Sequence, residues 1–397
     1  IKSLRQQIGK KFGHLGERVV EDNVRVIRRG FEEVVQVDMA AKELTAVEDS
    51  AVPTMPAELA ASRAKPGIGH GGRFWEQVCH VYKSGDDGIA DPFAAISAIP
   101  AGTSTIRDMT EVRYEVPKFI PSACTGCSQC WVQGPDTAIP GNVNTIEEIL
   151  HAAMHAASNG TTFERLRQVV PHLSREIRRV LKGAPFENFS ETLKSAYAAL
   201  VAKLPLEPER REQLDAEFTQ IAASLADFPL ARTAPFWDVP ESNEQGSGGL
   251  LSITVNPRTC KGCNVCVEVC PTGALVAVHQ DEEVVDTLRH NWEIWQRLPS
   301  TDDKYVNVAS VEEAIGVLPS MLLKKENYLN MAGGDGACMG CGEKTAVHLV
   351  LTAVNALMRP KVAQHVEKLE TLIAALDTKA RTLLASDASL EDVAEAP

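Results

Sequence analysis

The chain has 397 residues, of which 44% are hydrophobic and 23% charged, with a net charge of −13 and ten cysteines. That length predicts several domains rather than one. The acidic balance argues against nucleic acid or an anionic membrane surface as a partner, since both recruit basic patches, and no apolar run is long enough to cross a bilayer.

The first residues, Ile1-Lys2-Ser3-Leu4, are neither an initiator methionine nor a signal peptide, so the chain reads as an internal piece of a longer polypeptide. Residues 1–45 carry Val19, Val20, Val24, Ile27, Phe31 and Val34 near helical spacing, which predicts a packing helix without chemistry of its own. Residues 46–72 are rich in Ala, Pro and Gly and read as a linker. An apolar, aromatic stretch follows (Phe74, Trp75, Val78, Val81, Tyr82) around an isolated Cys79. A lone cysteine reads first as a small buried hydrophobe, with a ligand role as the alternative. Asp91-Pro92-Phe93, Gly102-Thr103-Ser104 and Arg107-Asp108 come next, and Val116-Pro117-Lys118-Phe119-Ile120-Pro121 then runs directly into a cysteine group.

That group is Cys124-Thr125-Gly126-Cys127-Ser128-Gln129-Cys130, followed by Gly134-Pro135. More than a hundred residues separate it from the next group. They predict helices over about 145–158, 161–182, 187–204 and 207–226, with a capping box at Thr145 and Glu148 and kinks or breaks at Pro171, Pro205 and Pro208. His151, His155 and His172 lack ligand spacing and read as surface or core histidines. Leu250-Leu251-Ser252-Ile253-Thr254-Val255 alternates as a strand, Cys260-Lys261-Gly262-Cys263-Asn264-Val265-Cys266 leads to Cys270-Pro271, and Ala274–Val278 reads as the return strand. Trp292, Ile294, Trp295 and Leu298 predict a packed helix. Met331–Glu343 holds Cys338 and Cys341 behind a Gly-rich lead that matches no phosphate-binding loop. One CxxC by itself is equally half a zinc site, half a cluster site or a redox pair. Beyond residue 352 the pattern is an alternating charged and apolar helix (Val362, Val366, Leu369, Leu372, Leu376).

The spacing from Cys260 to Pro271 is the bacterial ferredoxin run for a [4Fe–4S] cluster, and thiolates are the soft ligands such clusters take. Nine of the ten cysteines lie in CxxC-type groups, which predicts metal or cluster ligands in a reducing cytoplasm rather than disulfides of a secreted protein. In two-cluster ferredoxins the fourth cysteine of each run ligates the other cluster. Cys270 is therefore expected to complete the first cluster, with Cys124, Cys127 and Cys130. The second, on Cys260, Cys263 and Cys266, lacks a fourth cysteine because Gly134 stands in its place. The expectation there is a [3Fe–4S] centre, or a site whose fourth ligand is water, a carboxylate or Cys79.

These motifs, in this order, resemble the 2-oxoacid:ferredoxin oxidoreductases, including the pyruvate:ferredoxin and pyruvate:flavodoxin enzymes. Lys10-Lys11 to Asn23 is similar to the close of their gamma-type domain, and Val116–Pro121 before Cys124 to the short domain that precedes their ferredoxin module, with Ile106-Arg107-Asp108 in the region of its Glu-Lys-Arg element. Gly336–Glu343 is similar to the opening of their thiamine-diphosphate domain. The resemblance implies a multidomain α/β and α+β fragment, whose two-cluster ferredoxin-like module carries a helical insertion between its cysteine motifs. It divides the chain into the end of a gamma-type domain (1–45), a linker and short pre-ferredoxin domain (46–115), a first cluster half (116–144), the insertion (145–247), a second cluster half (248–280), a connecting segment (281–330) and the start of a thiamine domain (331–397).

The resemblance further implies that Cys338 and Cys341 begin a third [4Fe–4S] cluster beside thiamine diphosphate and Mg2+. The activity implied is oxidative decarboxylation of a 2-oxoacid, pyruvate foremost, with coenzyme A to acyl-CoA and CO2, passing electrons to ferredoxin or flavodoxin in a cytoplasmic homodimer. This chain supplies the electron relay. It contains no catalytic residue of its own, since the thiamine site lies largely outside it. The competing readings are a stand-alone ferredoxin-like electron-transfer module and a zinc-stabilised scaffold.

Overall fold

A computed structural model describes residues 2–36, 55, 71–79, 88, 103–106, 108–158, 162–183, 186–205, 207–306, 316–329 and 342–387. Most of the expected linker and pre-ferredoxin segment, and all of 330–341, lie outside those residues. The chain divides into two units, residues 1–52 and 53–397. The first holds α1 (Lys2–Phe12), a 3-10 turn at Gly13–Leu15 and α2 (Glu17–Glu32), whose buried positions are Val20 and Val24.

In the second unit, two antiparallel sheets bracket the cysteine groups. Strand β1 (Glu115–Phe119) enters the first group and β2 (Gly141–Asn144) leaves it; β4 (Leu250–Ile253) enters the second and β5 (Leu275–His279) leaves it. β1 pairs with β5, with Val116 opposite Val278 and Phe119 opposite Leu275. β4 is the centre of the other sheet, between β2 and the two-residue β3 (Leu230–Ala231), with Val143 opposite Leu251. Each cysteine group is thus held at both ends by strands that pair with the flanks of the other group.

Between β2 and β3 run α4 (Ile146–Ala157), α5 (Glu164–Gly183), α6 (Phe189–Val201) and α7 (Pro208–Ser224), after a short α3 (Gln129–Gln133) in the first cysteine group. The capping box at α4 forms as expected: Glu148 N–H donates to Thr145 Oγ1 at 3.3 Å and Thr145 N–H to Glu148 Oε2 at 2.8 Å. Asn188 caps α6 through Glu191 N–H at 2.9 Å. Pro208 opens α7 and Pro205 lies between helices, but Pro171 does not break the chain; α5 continues through it. Ile149, Leu150, Leu166, Leu173, Leu193 and Ile221 pack with Trp292 and Trp295 of α9 (Glu282–Arg297) into one apolar core. Between β4 and β5 lies α8 (Val265–Glu268).

A second, smaller core surrounds the cysteines: Trp131, Ile139, Val143, Leu251, Ile253, Cys260, Cys266, Leu275 and Tyr328. It is roofed by α10 (Asp303–Val306), α11 (Val317–Met321) and α12 (Lys325–Leu329). Trp131 Nε1 donates to the Pro319 carbonyl at 3.1 Å, and Ile139 N–H to the Tyr328 hydroxyl at 3.1 Å. The last described helix, α13, runs Gly342–Asp387 with Val362, Val366, Leu369, Leu372 and Leu376 exposed. Among the described residues no helix is long and apolar enough to cross a membrane.

Candidate metal centre

The two cysteine groups fold alike, residue for residue. Gly126 and Gly262, one before the second cysteine of each, have φ of 76° and 65°, and Ser128 and Asn264, one after it, have φ of 73° and 58°. Gly262 also has no room for a side chain, because a Cβ there would stand 2.5 Å from the Glu115 carbonyl oxygen. The left-handed residues turn the chain back on itself, so successive thiols do not alternate along an extended strand. The third cysteine of each group then sits in the first turn of a short helix, Cys130 in α3 and Cys266 in α8.

The thiols meet the same backbone donors in both groups. Gly126 N–H donates to Cys124 and Gly262 N–H to Cys260; Trp131 N–H donates to Cys130 and Val267 N–H to Cys266. Cys124 lies within electrostatic reach of Cys127 and Cys270, and Cys130 within reach of Cys124, Cys127 and Cys266. Cys260, Cys263 and Cys266 act on one another likewise. Burial pushes the Cys124 thiol up to about 11 and Cys266 to about 12, and raises Cys130 and Cys260 too. Burial thus favours the neutral thiols, and a metal bound to them would favour the thiolates.

Among the described residues, no three His, Cys, Asp or Glu side chains converge on a single metal ion. A four-iron cube asks for something different, one sulfur at each of four separate irons, so its thiolates stand farther apart than ligands of one ion. In the second group, Cys260, Cys263 and Cys266 line a small cavity of about 20 Å3, partly open to solvent, together with Gly134, Pro135 and Asp136 of the first group.

Cations close the site from behind. The Arg113 guanidinium, 6% exposed, donates through Nη1 to the carbonyls of Pro257 at 2.5 Å and Cys260 at 2.6 Å and through Nε to Gln280 Oε1 at 2.5 Å. Its Nη2 is buried with no hydrogen-bond partner among the described residues. The Lys261 ammonium pairs with the Asp136 carboxylate at 2.5 Å, with both side chains at most 2% exposed. A buried donor left over beside thiols fits an anionic group such as a thiolate-ligated cluster. Neither Arg113 nor Asp136 belongs to a cysteine motif, and no local signal in the sequence marks them.

Cys79 is not a neighbour of this cavity. It is buried with Trp75 in a separate apolar cluster that includes Phe74 and Met55. Cys338 and Cys341 lie outside the described residues.

A family model described as a 4Fe-4S binding domain matches residues 253–276. The chain is 32% identical over 110 residues to a protein named "Pyruvate-flavodoxin oxidoreductase" from Rhodospirillum rubrum, a match covering 26% of this chain and 8% of that protein. It is 29% identical over 135 residues to a "Putative pyruvate-flavodoxin oxidoreductase" from Synechocystis sp., covering 32% of this chain and 10% of that one. The matches therefore span a tenth or less of the relatives' length.

Proposed function

We propose that this chain is the electron-relay portion of a 2-oxoacid oxidoreductase of the pyruvate-flavodoxin oxidoreductase family. The observation that supports this best is the pair of matching loops. Within each the three thiols lie in electrostatic reach of one another, Cys270 of the second lies in reach of Cys124 of the first, and Gly134 of the first lines the cavity of Cys260, Cys263 and Cys266.

On this reading Cys124, Cys127, Cys130 and Cys270 hold one [4Fe–4S] cluster and Cys260, Cys263 and Cys266 three corners of a second. The module is a two-cluster ferredoxin with α4–α7 inserted between its halves. When bound, the clusters supply one-electron transfer, which matches a two-electron oxidation to a one-electron carrier. The chain's own part is to bury the sulfurs, aim the N–H groups of Gly126, Trp131, Gly262 and Val267 at them, and set their potential through those bonds and the Arg113 charge. The stacked indoles of Trp292 and Trp295, 4.6 Å apart, belong to the helical core and have no part in this.

On this reading the whole protein would catalyse oxidative decarboxylation of a 2-oxoacid, pyruvate foremost, with coenzyme A to acyl-CoA and CO2. It takes place in a cytoplasmic homodimer that reduces ferredoxin or flavodoxin. Cys338 and Cys341 begin a third cluster there, beside thiamine diphosphate and Mg2+.

The test is to purify the chain without oxygen, reduce it with dithionite, remove the excess, and mix it with oxidised flavodoxin or ferredoxin. The expected result is a brown, iron- and sulfide-containing chain that passes its electrons to the carrier. An iron-free chain, or one whose reduced iron leaves both carriers oxidised, overturns the reading. Pyruvate-dependent reduction by the full-length protein separates an oxidoreductase from a stand-alone electron-transfer module.

A further inference from the structure

The first loop departs from the second at one place. Where the second has Cys270-Pro271-Thr272-Gly273, the first has Gly134-Pro135-Asp136-Thr137. Gly134 cannot be read as a cysteine simply lost, because a Cβ there would stand 2.6 Å from Ile139 Cγ2 and 2.7 Å from the Cys130 carbonyl oxygen. The backbone has closed over the place from which a fourth thiol would reach.

The same turn presents a different donor. Asp136 lines the cavity of Cys260, Cys263 and Cys266. It is held there at some cost. Asp136 and Thr137 both have positive φ, 62° and 55°, whereas the second loop has a glycine, Gly273 at 65°, in the place of Thr137. A β-branched residue in that region is strained backbone, which persists only where its surroundings enforce it. Here Ser104 Oγ donates to the Asp136 carbonyl at 3.1 Å and Thr137 Oγ1 to the same oxygen at 2.6 Å. The Lys261 ammonium, contributed by the residue after Cys260, fixes the carboxylate. A buried ion pair is a weak source of stability, so its position at the wall of a thiol-lined cavity calls for another reason.

Resting on the cluster reading above, we propose that the Asp136 carboxylate is the fourth protein ligand of the iron–sulfur centre held by Cys260, Cys263 and Cys266, in place of the thiolate absent at Gly134. A carboxylate has two oxygens and about four lone-pair sites. It can therefore bind iron and still accept from Lys261. A donor that serves one iron of a cube need not converge with the three thiols on a single ion. An oxygen is a harder donor than a thiolate, so the iron it holds is the exchangeable one of the four.

The experiment uses the anaerobically purified protein and reads Mössbauer and EPR spectra after incubation with 57Fe2+, together with iron per chain. The wild type is expected to show a four-iron second centre in which one iron takes up label. Asp136→Asn is expected to lose one iron per chain, giving the spectrum of a three-iron centre, with the first centre unchanged. Asp136→Cys is expected to retain four irons and to stop the exchange. Lys261→Gln breaks the ion pair but keeps the carboxylate, and is expected to keep four irons with a shifted midpoint potential. A wild-type second centre with three irons, or an Asp136→Asn protein with the wild-type spectrum and exchange, overturns the proposal. So does loss of the same iron in Lys261→Gln, since the carboxylate would then act only through the ion pair. If Asp136→Asn does not fold, exchange in Asp136→Cys decides: labelling as in wild type overturns the assignment. A chain without any iron defeats the cluster reading itself, a result distinct from all of these.

Discussion

Replacing Gly134 by alanine isolates a single physical quantity. The residue has φ −65° and ψ 123°, a backbone that any L-residue adopts, so the change brings no conformational strain of its own. What it brings is one methyl group 2.6 Å from Ile139 Cγ2 and 2.7 Å from the Cys130 carbonyl. Neither neighbour gives way easily. Ile139 is 3% exposed in the core around the cysteines, and the Cys130 carbonyl already accepts Gly134 N–H at 2.9 Å. Overpacking of this kind costs about 1–3 kcal/mol. For a unit of this size that is a loss of roughly 1–4 °C in melting temperature. The assay is differential scanning calorimetry of the anaerobic iron-loaded proteins, compared at one scan rate. Gly134→Cys carries the same Cβ and is expected to lose stability to the same degree without gaining a fourth thiolate. An alanine variant that melts with the wild type would refute the steric argument. So would a cysteine variant that gains a four-thiolate second centre at no cost.

Three further outcomes follow from the same geometry. Arg113→Gln removes a buried positive charge beside Cys260, so the second centre should become harder to reduce while the first keeps its potential, as read by EPR-monitored redox titration; equal shifts at both centres would count against a local effect. Burial pulls the Lys325 ammonium down to about 7, although it caps the carbonyls of Trp295, Gln296 and Leu298. Between pH 7 and about 10.4, the usual value for lysine, the unfolded chain then holds more protons than the native one. Stability should rise with pH through that window, by at most about 1.4 kcal/mol per unit, and show no such slope below it. Urea midpoints measured at several pH values check the sign, and Lys325→Met should flatten the slope. Removing iron with a chelator should leave most of the far-UV helical signal, because the apolar core of α4–α7 contains no cysteine, while the core around Cys260 and Cys266 loosens. Parallel loss of helix and iron absorbance would show the two cores to be one cooperative unit.

What was legible in the sequence follows from how local each determinant is. The cysteine spacing, the alternation before Cys260, the return strand after Cys270 and the capping box at Thr145 are contained within a few residues. β1 was hidden by Pro117, which argues against a strand, although at the edge of a two-stranded ribbon it is tolerated. β2 was hidden because Asn142 and Asn144 look like loop residues. They are buried because both side chains donate to the Pro299 carbonyl and Asn142 accepts from Thr301. Pro171 looked like a break, yet the packing of Leu166, Leu173 and Ile177 on either side carries α5 through it. The Asp136–Lys261 pair and the Arg113 anchor join segments far apart in the chain, and only the fold brings them together.

Thiols from both cysteine groups are proposed to hold iron. EPR of the dithionite-reduced protein, with iron and acid-labile sulfide assayed on the same sample, tests that most directly. The prediction is two magnetically interacting iron–sulfur centres, one an ordinary four-thiolate centre that disappears in Cys270→Ser and the other distinct from it. A chain that binds zinc in place of iron, or a Cys270→Ser protein with both centres unchanged, contradicts it.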